Sequence, residues 1–380
     1  SSRIPSGSPL STWFRHRTLT PQRAPSSNCN LVIPESMPYQ RVVCPQMAPT
    51  QLRWGVAGVG MIAHDFLTAL ATLPTDQHKV AAIAGKDLER VHRLSFLLFA
   101  DIVFVSVLNL QHFEITKLML ENGKHVLCEK PIGMTYKQTK SLVDLARERK
   151  LFLLEGMWSR FFPAYDALDK HIAAGGLGDI YHISAQFDLG GGAVLDLGIY
   201  MLQLVQFIYK EPPTDIVCTG HLSKAGVDES ISCALKYKDG RTATISAHTR
   251  ATLTNRAEIV GTKGSIGYFW CPTVLHISAA NNTEWTLPKG KFKFHFHNSA
   301  GLSYQIQECW QCINDGKHLN NYFTYFDSLP LCETSTITIS KPSRNEPTPV
   351  LKGCNVSATS RVLRDLRVSM RGCDHLPTIK

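Results

Sequence analysis

The segment from Leu52 to Ala63 constrains the fold more than any other part of this sequence. A strand-like run, Leu52–Ala57, leads into Gly58-Val-Gly60-Met-Ile-Ala63, where a helical pattern begins. The spacing fits G-x-G-x-x-A, in which one glycine permits a tight turn and the next lets a pyrophosphate approach the backbone. The phosphate then meets a helix N-terminus, whose free N–H groups favour an anion. We expect a dinucleotide-binding unit here, with a plain tight turn as the alternative.

Beyond that unit, strand-like and helix-like patterns alternate as far as Glu155. Such alternation is typical of a parallel sheet with helical crossovers. After about residue 180, short β-like runs separated by Gly, Lys and Asp turns predict a different sheet. The predicted fold is therefore α/β plus α+β: an N-terminal Rossmann-type parallel sheet, followed by a domain with an open, mainly antiparallel sheet.

Four parts are predicted along the chain. Residues 1–46 hold seven prolines and no apolar periodicity, so we expect a disordered or spurious N-terminal extension. Residues 50–156 are predicted to form the dinucleotide-binding domain, and residues 157–318 a substrate and dimerisation domain. Residues 319–380 are predicted to be an atypical, disordered tail.

The net charge of +9 is concentrated in the two tails. Residues 1–46 contain five arginines and one glutamate, and residues 328–380 contain eight basic and four acidic residues. A nucleic-acid groove gathers its cations on a folded face, so we expect no nucleic-acid partner. No apolar run reaches the roughly 18 residues of a membrane span. Because residues 1–30 also lack an apolar signal region, a cytoplasmic protein without membrane association is expected.

The eleven cysteines are scattered along the chain. Without a secretory signal they are expected to be reduced and mostly buried. Cys309 and Cys312 have C-x-x-C spacing, but they lie in a predicted helix with no second pair. We interpret that spacing as chance and predict no metal site.

Polar residues follow two of the predicted parallel strands. Lys86 stands near the end of the second strand, where a cation suits a 2′-phosphate, so it favours NADP over NAD. A solvated lysine is the alternative. Asn109 and His112 follow the next strand along the chain. Asn109 could hydrogen-bond a ribose or a carboxamide, whereas His112 is equally well explained as an ordinary helix-start residue.

The tripeptide Glu129-Lys130-Pro131 closes a buried strand, where charges need partners or solvent. A lysine ammonium in a cleft can orient a substrate or lower the pKa of a neighbouring acid; a surface ion pair is the alternative. The Lys130–Pro131 bond is a candidate for the cis form.

Asp196 and Tyr200 are spaced i, i+4 in an apolar helix expected to run to about Tyr209, so they share a face. A tyrosine phenol serves as a general acid or base where a lysine cation lies nearby. A core or interface tyrosine is the commoner alternative.

In combination, these motifs resemble the glucose-fructose oxidoreductase / inositol dehydrogenase family. The stretch from Leu151 to Pro163, which includes Trp158 and Arg160, is similar to the dimeric dihydrodiol dehydrogenase branch of that family. The resemblance implies an NADP-dependent enzyme that oxidises a small diol or sugar, of the trans-dihydrodiol or D-xylose type. It also implies a homodimer joined through the second-domain sheet.

The same resemblance implies individual roles. Tyr200 would be the acid/base, Lys130 would stabilise its phenolate, and Asp196 would complete the catalytic group. Trp158, Asp196 and Tyr200 would line the substrate site. Cofactor contacts are implied for Gly58, Gly60, Met61, Ile62, Lys86, Leu108, Asn109, His112, Glu129, Lys130 and Arg160.

The chain also departs from the family pattern. Blocks are missing between about Phe96 and Asp101 and between Phe187 and Gly190, and His221 stands where the branch has an arginine. We expect the first gap to remove an edge strand and so to expose sheet and apolar helix surface. The chain is therefore expected to fold poorly and to be weakly active. The alternative function is an inactive or truncated paralogue that keeps nucleotide binding without turnover.

Overall fold

The computed structural model describes residues 51–85, 99–188, 193–224, 226–278 and 282–317, together with the pair Leu351–Lys352. By compactness the chain divides after Gln46, and all of these residues belong to the second unit, Met47–Lys380. The predictions for residues 1–46, for Lys86 and for most of the tail lie outside the described residues.

The first sheet is parallel and has five strands in the order β2-β1-β3-β4-β5. Its strands are β1 (Leu52–Ala57), β2 (His78–Ala84), β3 (Ile102–Val105), β4 (His125–Glu129) and β5 (Leu153–Gly156). Its crossover helices are α1 (Met61–Leu70), α2 (Asn109–Glu121) and α3 (Tyr136–Arg149). Because both faces are covered, the inner strands are continuous apolar runs, as β3 shows with all four residues buried.

The predicted Rossmann-type sheet is confirmed. In the part of the chain that the structure describes, β2 is the outermost strand on its side. Val80 and Ile83 of β2 are 36% and 42% exposed, as is common for side chains on an edge strand.

The second sheet has nine strands in the order β13-β12-β11-β10-β6-β9-β8-β7-β14. All neighbouring pairs are antiparallel except β6 and β9, so the predicted, mainly antiparallel sheet is confirmed. Its strands are β6 (Ile180–Asp188), β7 (Asp215–Leu222), β8 (Asp228–Lys236), β9 (Thr242–His248), β10 (Arg256–Gly261), β11 (Gly264–Phe269), β12 (Val274–Ile277), β13 (Thr283–Glu284) and β14 (Leu351–Lys352).

Two helices cover one face of this sheet, α4 (Pro163–Ala173) and α5 (Ile199–Tyr209), and the alternation of buried and exposed residues along β9 shows which face is covered. A third helix, α6 (Leu302–Asn314), packs against α1 instead. The main hydrophobic cluster runs without a break from Trp54 and Phe104 of the first sheet to Ile245 of the second. A separate cluster fills the other face of the parallel sheet, under α2 and α3.

The prediction that every cysteine is reduced is wrong for one pair. Cys218 and Cys233 lie directly opposite each other on β7 and β8, and a disulfide joins them. Their pairing follows from strand register, which the spacing of cysteines along the sequence does not reveal. Four cysteines among the described residues are free and buried: Cys128, Cys271, Cys309 and Cys312.

No helix in the described ranges is both long and apolar enough to cross a membrane.

Candidate active site

The glycine turn lies at the carboxyl end of β1. Gly58 has φ of +118°, and a Cβ there would lie 2.5 Å from the carbonyl oxygen of Ser106, so only glycine fits. Gly60 begins α1 without a side-chain cap, and a Cβ added to it would have no heavy atom within 4 Å. The N-terminus of α1 therefore faces open space, which leaves room for a pyrophosphate to approach the protein backbone.

Exposed apolar side chains surround this turn. Val59 is 68% and Met61 58% exposed, and Leu108, just before α2, and Leu110, in its first turn, are 75% and 77% exposed. The two loops adjoin, because β1 pairs with β3 and Ser106 N–H donates to the Ala57 carbonyl. Exposed apolar surface beside an anion site suits the flat rings of a dinucleotide, so the residues present fit such a cofactor. Met61, Leu108 and Asn109 of the predicted cofactor set all lie at this edge.

His112 lies in the first turn of α2 and is buried. Its ring nitrogens Nδ1 and Nε2 lie 2.8 Å and 3.0 Å from the carbonyl oxygens of Pro131 and Val107. Burial lowers the pKa of His112, although these two backbone contacts oppose the shift. The histidine thus ties the loop after β3 to the loop after β4, which is a positioning role.

Lys130 follows β4 and is joined to Pro131 by a cis peptide bond. Its Nζ donates to Asp196 Oδ1 at 2.6 Å and to the Asp196 backbone carbonyl at 2.9 Å. The Lys130 side chain is 13% exposed and that of Asp196 27%. Because both side chains are mostly buried, this ion pair keeps a more fixed geometry than an ion pair on the surface does.

Asp196 is presented by a short π-helix, Ala193–Gly198, which precedes α5. The sequence predicted an apolar α-helix that already includes Asp196, and this prediction is wrong before Ile199. Asp196 and Tyr200 nevertheless face the same site. The Val194 N–H donates to Asp228 Oδ2 at 2.5 Å, so a carboxylate from β8 holds this turn. This contact with a residue distant in sequence stabilises the wider turn of the π-helix. The local sequence does not predict such a turn.

Tyr200 lies beside Lys130, with Nζ 5.2 Å from the centroid of the phenol ring. Its hydroxyl accepts a hydrogen bond of 2.8 Å from Trp158 Nε1, and its side chain is buried against Phe187 and Trp270. Burial raises the pKa of Tyr200 well above its ordinary value, with further contributions from Cys271 and Glu129, and the Trp158 hydrogen bond opposes the rise. The three predicted substrate residues, Trp158, Asp196 and Tyr200, therefore lie in one cluster with Lys130.

Two buried carboxyl groups lie beneath this cluster. Burial raises the pKa of Glu129 to about 7, against the opposing charge of Lys130. Glu155, at the end of β5, accepts the backbone N–H of Ile132 at 2.9 Å and so fixes the chain after Pro131. Sequence reasoning gave Glu155 no role, although an acid that ends a buried apolar strand was the available signal.

Arg160 lies in the short helix Trp158–Phe161. Its guanidinium carbon is 3.8 Å from the centroid of the Phe207 ring and 5.8 Å from that of Tyr165. These contacts give Arg160 a packing role against α4 and α5. Its predicted cofactor contact stays a prediction.

Comparison with known proteins gives two family matches. The oxidoreductase family with an NAD-binding Rossmann fold matches residues 52–157, and the GFO/IDH/MocA C-terminal domain matches residues 186–267. A trans-1,2-dihydrobenzene-1,2-diol dehydrogenase from Xenopus tropicalis is 35% identical over 297 residues, which cover 70% of this chain and 90% of that protein. The protein of that name from Homo sapiens is 33% identical, covering 70% and 89%.

Solved structures agree in fold. A 3-ketoreductase from Actinomadura kijaniata, in complex with NADP and TDP-benzene, is 25% identical with a TM-score of 0.59 and covers 73% of this chain and 94% of its own. A levoglucosan dehydrogenase in complex with NADH and levoglucosan is 15% identical with a TM-score of 0.61, and covers 71% and 92%. The latter likeness concerns the fold alone.

Proposed function

This chain belongs to the GFO/IDH/MocA oxidoreductase family, and from that premise we propose that it is an NADP-dependent dehydrogenase of a small diol or sugar hydroxyl. One observation carries the proposal: an ion pair of low exposure holds the Lys130 ammonium beside the Tyr200 ring. A phenol next to a fixed cation is suited to proton transfer, which removal of a hydride from an alcohol requires.

The cofactor would bind along the carboxyl edge of the first sheet. Gly58 and Gly60 would admit the pyrophosphate at the N-terminus of α1, and Met61, Leu108 and Asn109 would contact the rings and sugars. A nicotinamide bound there supplies the hydride acceptor. NADP rather than NAD is proposed on the sequence position of Lys86, two residues beyond the end of β2.

Tyr200 would take the proton of the substrate hydroxyl. Its raised pKa means that the phenol is protonated at rest, so the phenolate needs a nearby cation in order to form. Lys130 would provide that cation, and Asp196 would hold Lys130 in place through two contacts to Nζ. Trp158 would set the direction of the Tyr200 hydroxyl.

The substrate class is proposed from the relatives. The curated relatives are named for a trans-dihydrodiol of benzene. That ligand carries secondary hydroxyls on a six-membered ring, and D-xylose shares this chemistry in its ring form. Asp196 and Trp158 would contact such hydroxyls beside Tyr200.

The alternative function is nucleotide binding without turnover. The burial of Tyr200 favours it, because the side chain is 6% exposed and its hydroxyl is already engaged by Trp158. A substrate must displace or share that contact before it can give up a proton.

Turnover by the purified 380-residue chain tests the proposal. We expect NADP reduction with trans-1,2-dihydrobenzene-1,2-diol or D-xylose, and we expect Tyr200→Phe to lower kcat by about 10²–10⁴-fold. Tyr209→Phe is the matched control at the other end of α5, since its hydroxyl donates to the Thr242 carbonyl. NADP binding with no turnover, equal in wild type and Tyr200→Phe, would establish the alternative instead.

A homodimer is proposed through the outer face of the second sheet. Val217, Ser232, Ala234, Thr244 and Val260 point outward there and form a surface of small, uncharged side chains. Flat sheet faces of this kind pack well against a second copy. Thr244→Arg at the centre of the face should give a monomer by light scattering, whereas Glu284→Ala on the edge strand β13 should leave the dimer unchanged.

We also propose that residues 50–156 and 157–318 serve as the cofactor and substrate domains, and that the protein works in the cytoplasm. The buried thiols of Cys128, Cys271 and Cys309 support a location in the cytoplasm, and the Cys218–Cys233 disulfide is the observation against it.

A further inference from the structure

A segment outside the proposed active site folds back onto α1. His64 and Asp65 lie in the first half of α1, and the loop between β13 and α6 brings His295 against them. The rings of His64 and His295 have centroids 4.7 Å apart and meet edge to face. One ligand atom from each of the three residues lies within 4.8 Å of the others. Three groups with metal-ligand chemistry are thus joined from two distant parts of the sequence.

Asp65 holds this arrangement together. Its side chain is fully buried, and its carboxylate accepts the backbone N–H groups of His295 and Phe296 at 2.9–3.0 Å. These hydrogen bonds fix where His295 lies relative to α1.

Asp65 also orients His64. The distance from His64 Nδ1 to Asp65 Oδ1 is 3.2 Å, so Nδ1–H donates to the carboxylate and Nε2 keeps its lone pair. A histidine whose other ring nitrogen donates to a carboxylate is the usual arrangement for a metal ligand. The His64 side chain is 43% exposed, and His295 is also exposed, so an ion can reach both rings from solvent.

We propose that His64 and His295 bind a divalent transition-metal ion, with Asp65 as the carboxylate that orients His64. Two imidazoles favour Zn²⁺, Ni²⁺ or Cu²⁺ over Mg²⁺ and Ca²⁺, which need oxygen ligands. Water completes the coordination on the open side. The ion joins the loop 287–298 to the helix whose N-terminus faces the proposed cofactor site. This site differs from the C-x-x-C pair, and the proposal departs from the sequence prediction that the chain has no metal site.

The test measures binding of Zn²⁺ alone to the purified full chain after treatment with a chelator. Calorimetry should show one site that weakens by at least about tenfold in His64→Ala and also in His295→Ala, while Asp65→Asn weakens it by about tenfold. His182→Ala is the control, because that exposed histidine instead contacts the Thr242 hydroxyl. Both replaced histidines are exposed, so the variants should fold, and circular dichroism verifies this.

Copper provides a second, independent readout. The electron paramagnetic resonance spectrum of one equivalent of Cu²⁺ should show coupling to imidazole nitrogen that is lost in the double variant His64→Ala/His295→Ala. The proposal fails if wild type and the double variant bind Zn²⁺ with the same stoichiometry and affinity, or if wild type binds none. Neither result bears on turnover, so the test is independent of the proposed function.

Discussion

The two edge strands of the parallel sheet, β2 and β5, are buried to very different degrees. All four residues of β5 are buried, and Leu153 and Leu154 have no exposed surface. In contrast, Val80 and Ile83 of β2 are more than a third exposed. The proposed proton-transfer residues lie on the β5 side, where Trp158 and the main core cover the edge. Lys86, which would select the cofactor, follows β2. In the proposed function, proton transfer and the choice of cofactor therefore depend on opposite sides of one sheet, whose edge strands are buried to different degrees.

The largest effect is expected on the covered side. Lys130→Met removes the ammonium beside Tyr200 and keeps a side chain of similar length. We expect kcat to fall by about 10²–10⁴-fold, because the phenolate loses its cation, while NADP binding measured by fluorescence is retained. Lys140→Met is the control, since that exposed lysine of α3 pairs with Asp144. A normal kcat in Lys130→Met would remove the proton-transfer pair from the mechanism.

A smaller effect is expected at the neighbouring acid, Glu129. Its pKa is raised to about 7, whereas an unfolded glutamate titrates near 4.3. Between about pH 4.5 and 7 the folded state keeps a proton that the unfolded chain has lost, so the free energy of unfolding falls as the pH rises. Glu129→Gln lacks this titration. The difference in unfolding free energy between variant and wild type should change by about 2–3 kcal/mol from pH 5 to pH 8. Urea unfolding at the two pH values measures it, and a constant difference would contradict the assigned pKa.

On the exposed side we expect a shift in cofactor preference. Lys86→Asp replaces a cation suited to a 2′-phosphate with an anion suited to a ribose hydroxyl. The affinity for NADP relative to NAD should fall by about fivefold, which corresponds to an exposed ion pair of about 1 kcal/mol. Lys79→Asp, at the opposite end of β2, should leave the preference unchanged. Equal ratios in all three proteins would mean that Lys86 does not select the cofactor.

The smallest effect concerns the exposed strand itself. Ile83→Thr should change the free energy of unfolding by no more than about 0.5–1 kcal/mol and should reduce self-association on warming. The equivalent change on the covered edge, Leu154→Thr, should cost about 3 kcal/mol, because it places a hydroxyl in a closed core. Thermal melts with light scattering compare the two. If both variants lose the same stability, β2 is covered as well as β5 is.

Local patterns were sufficient to predict most of the fold. The glycine turn and the apolar strands both depend on neighbours in sequence. The meeting of Lys130 with Asp196 and Tyr200 came from the family resemblance together with helical spacing. Residues 66 positions apart give no local signal of their own contact.

The features that were missed all depend on tertiary contacts. The π-helix before α5 is held by Asp228 from another strand, and the disulfide depends on the register of β7 against β8. The buried acids Asp65 and Glu155 accept backbone N–H groups from loops distant in sequence. In both cases the sequence shows an acid within an apolar pattern, but it does not show which backbone N–H groups the carboxylate accepts.

The main hydrophobic cluster passes from the parallel sheet into the second sheet without interruption. The two halves of the described chain therefore share one interior, although each has its own sheet. We expect the described part of the chain to melt as one cooperative unit, with the loss of either half exposing the apolar surface of the other. A fragment that ends at Gly156 would leave Trp54 and Phe104 without part of their cover, so this enzyme cannot be studied one half at a time.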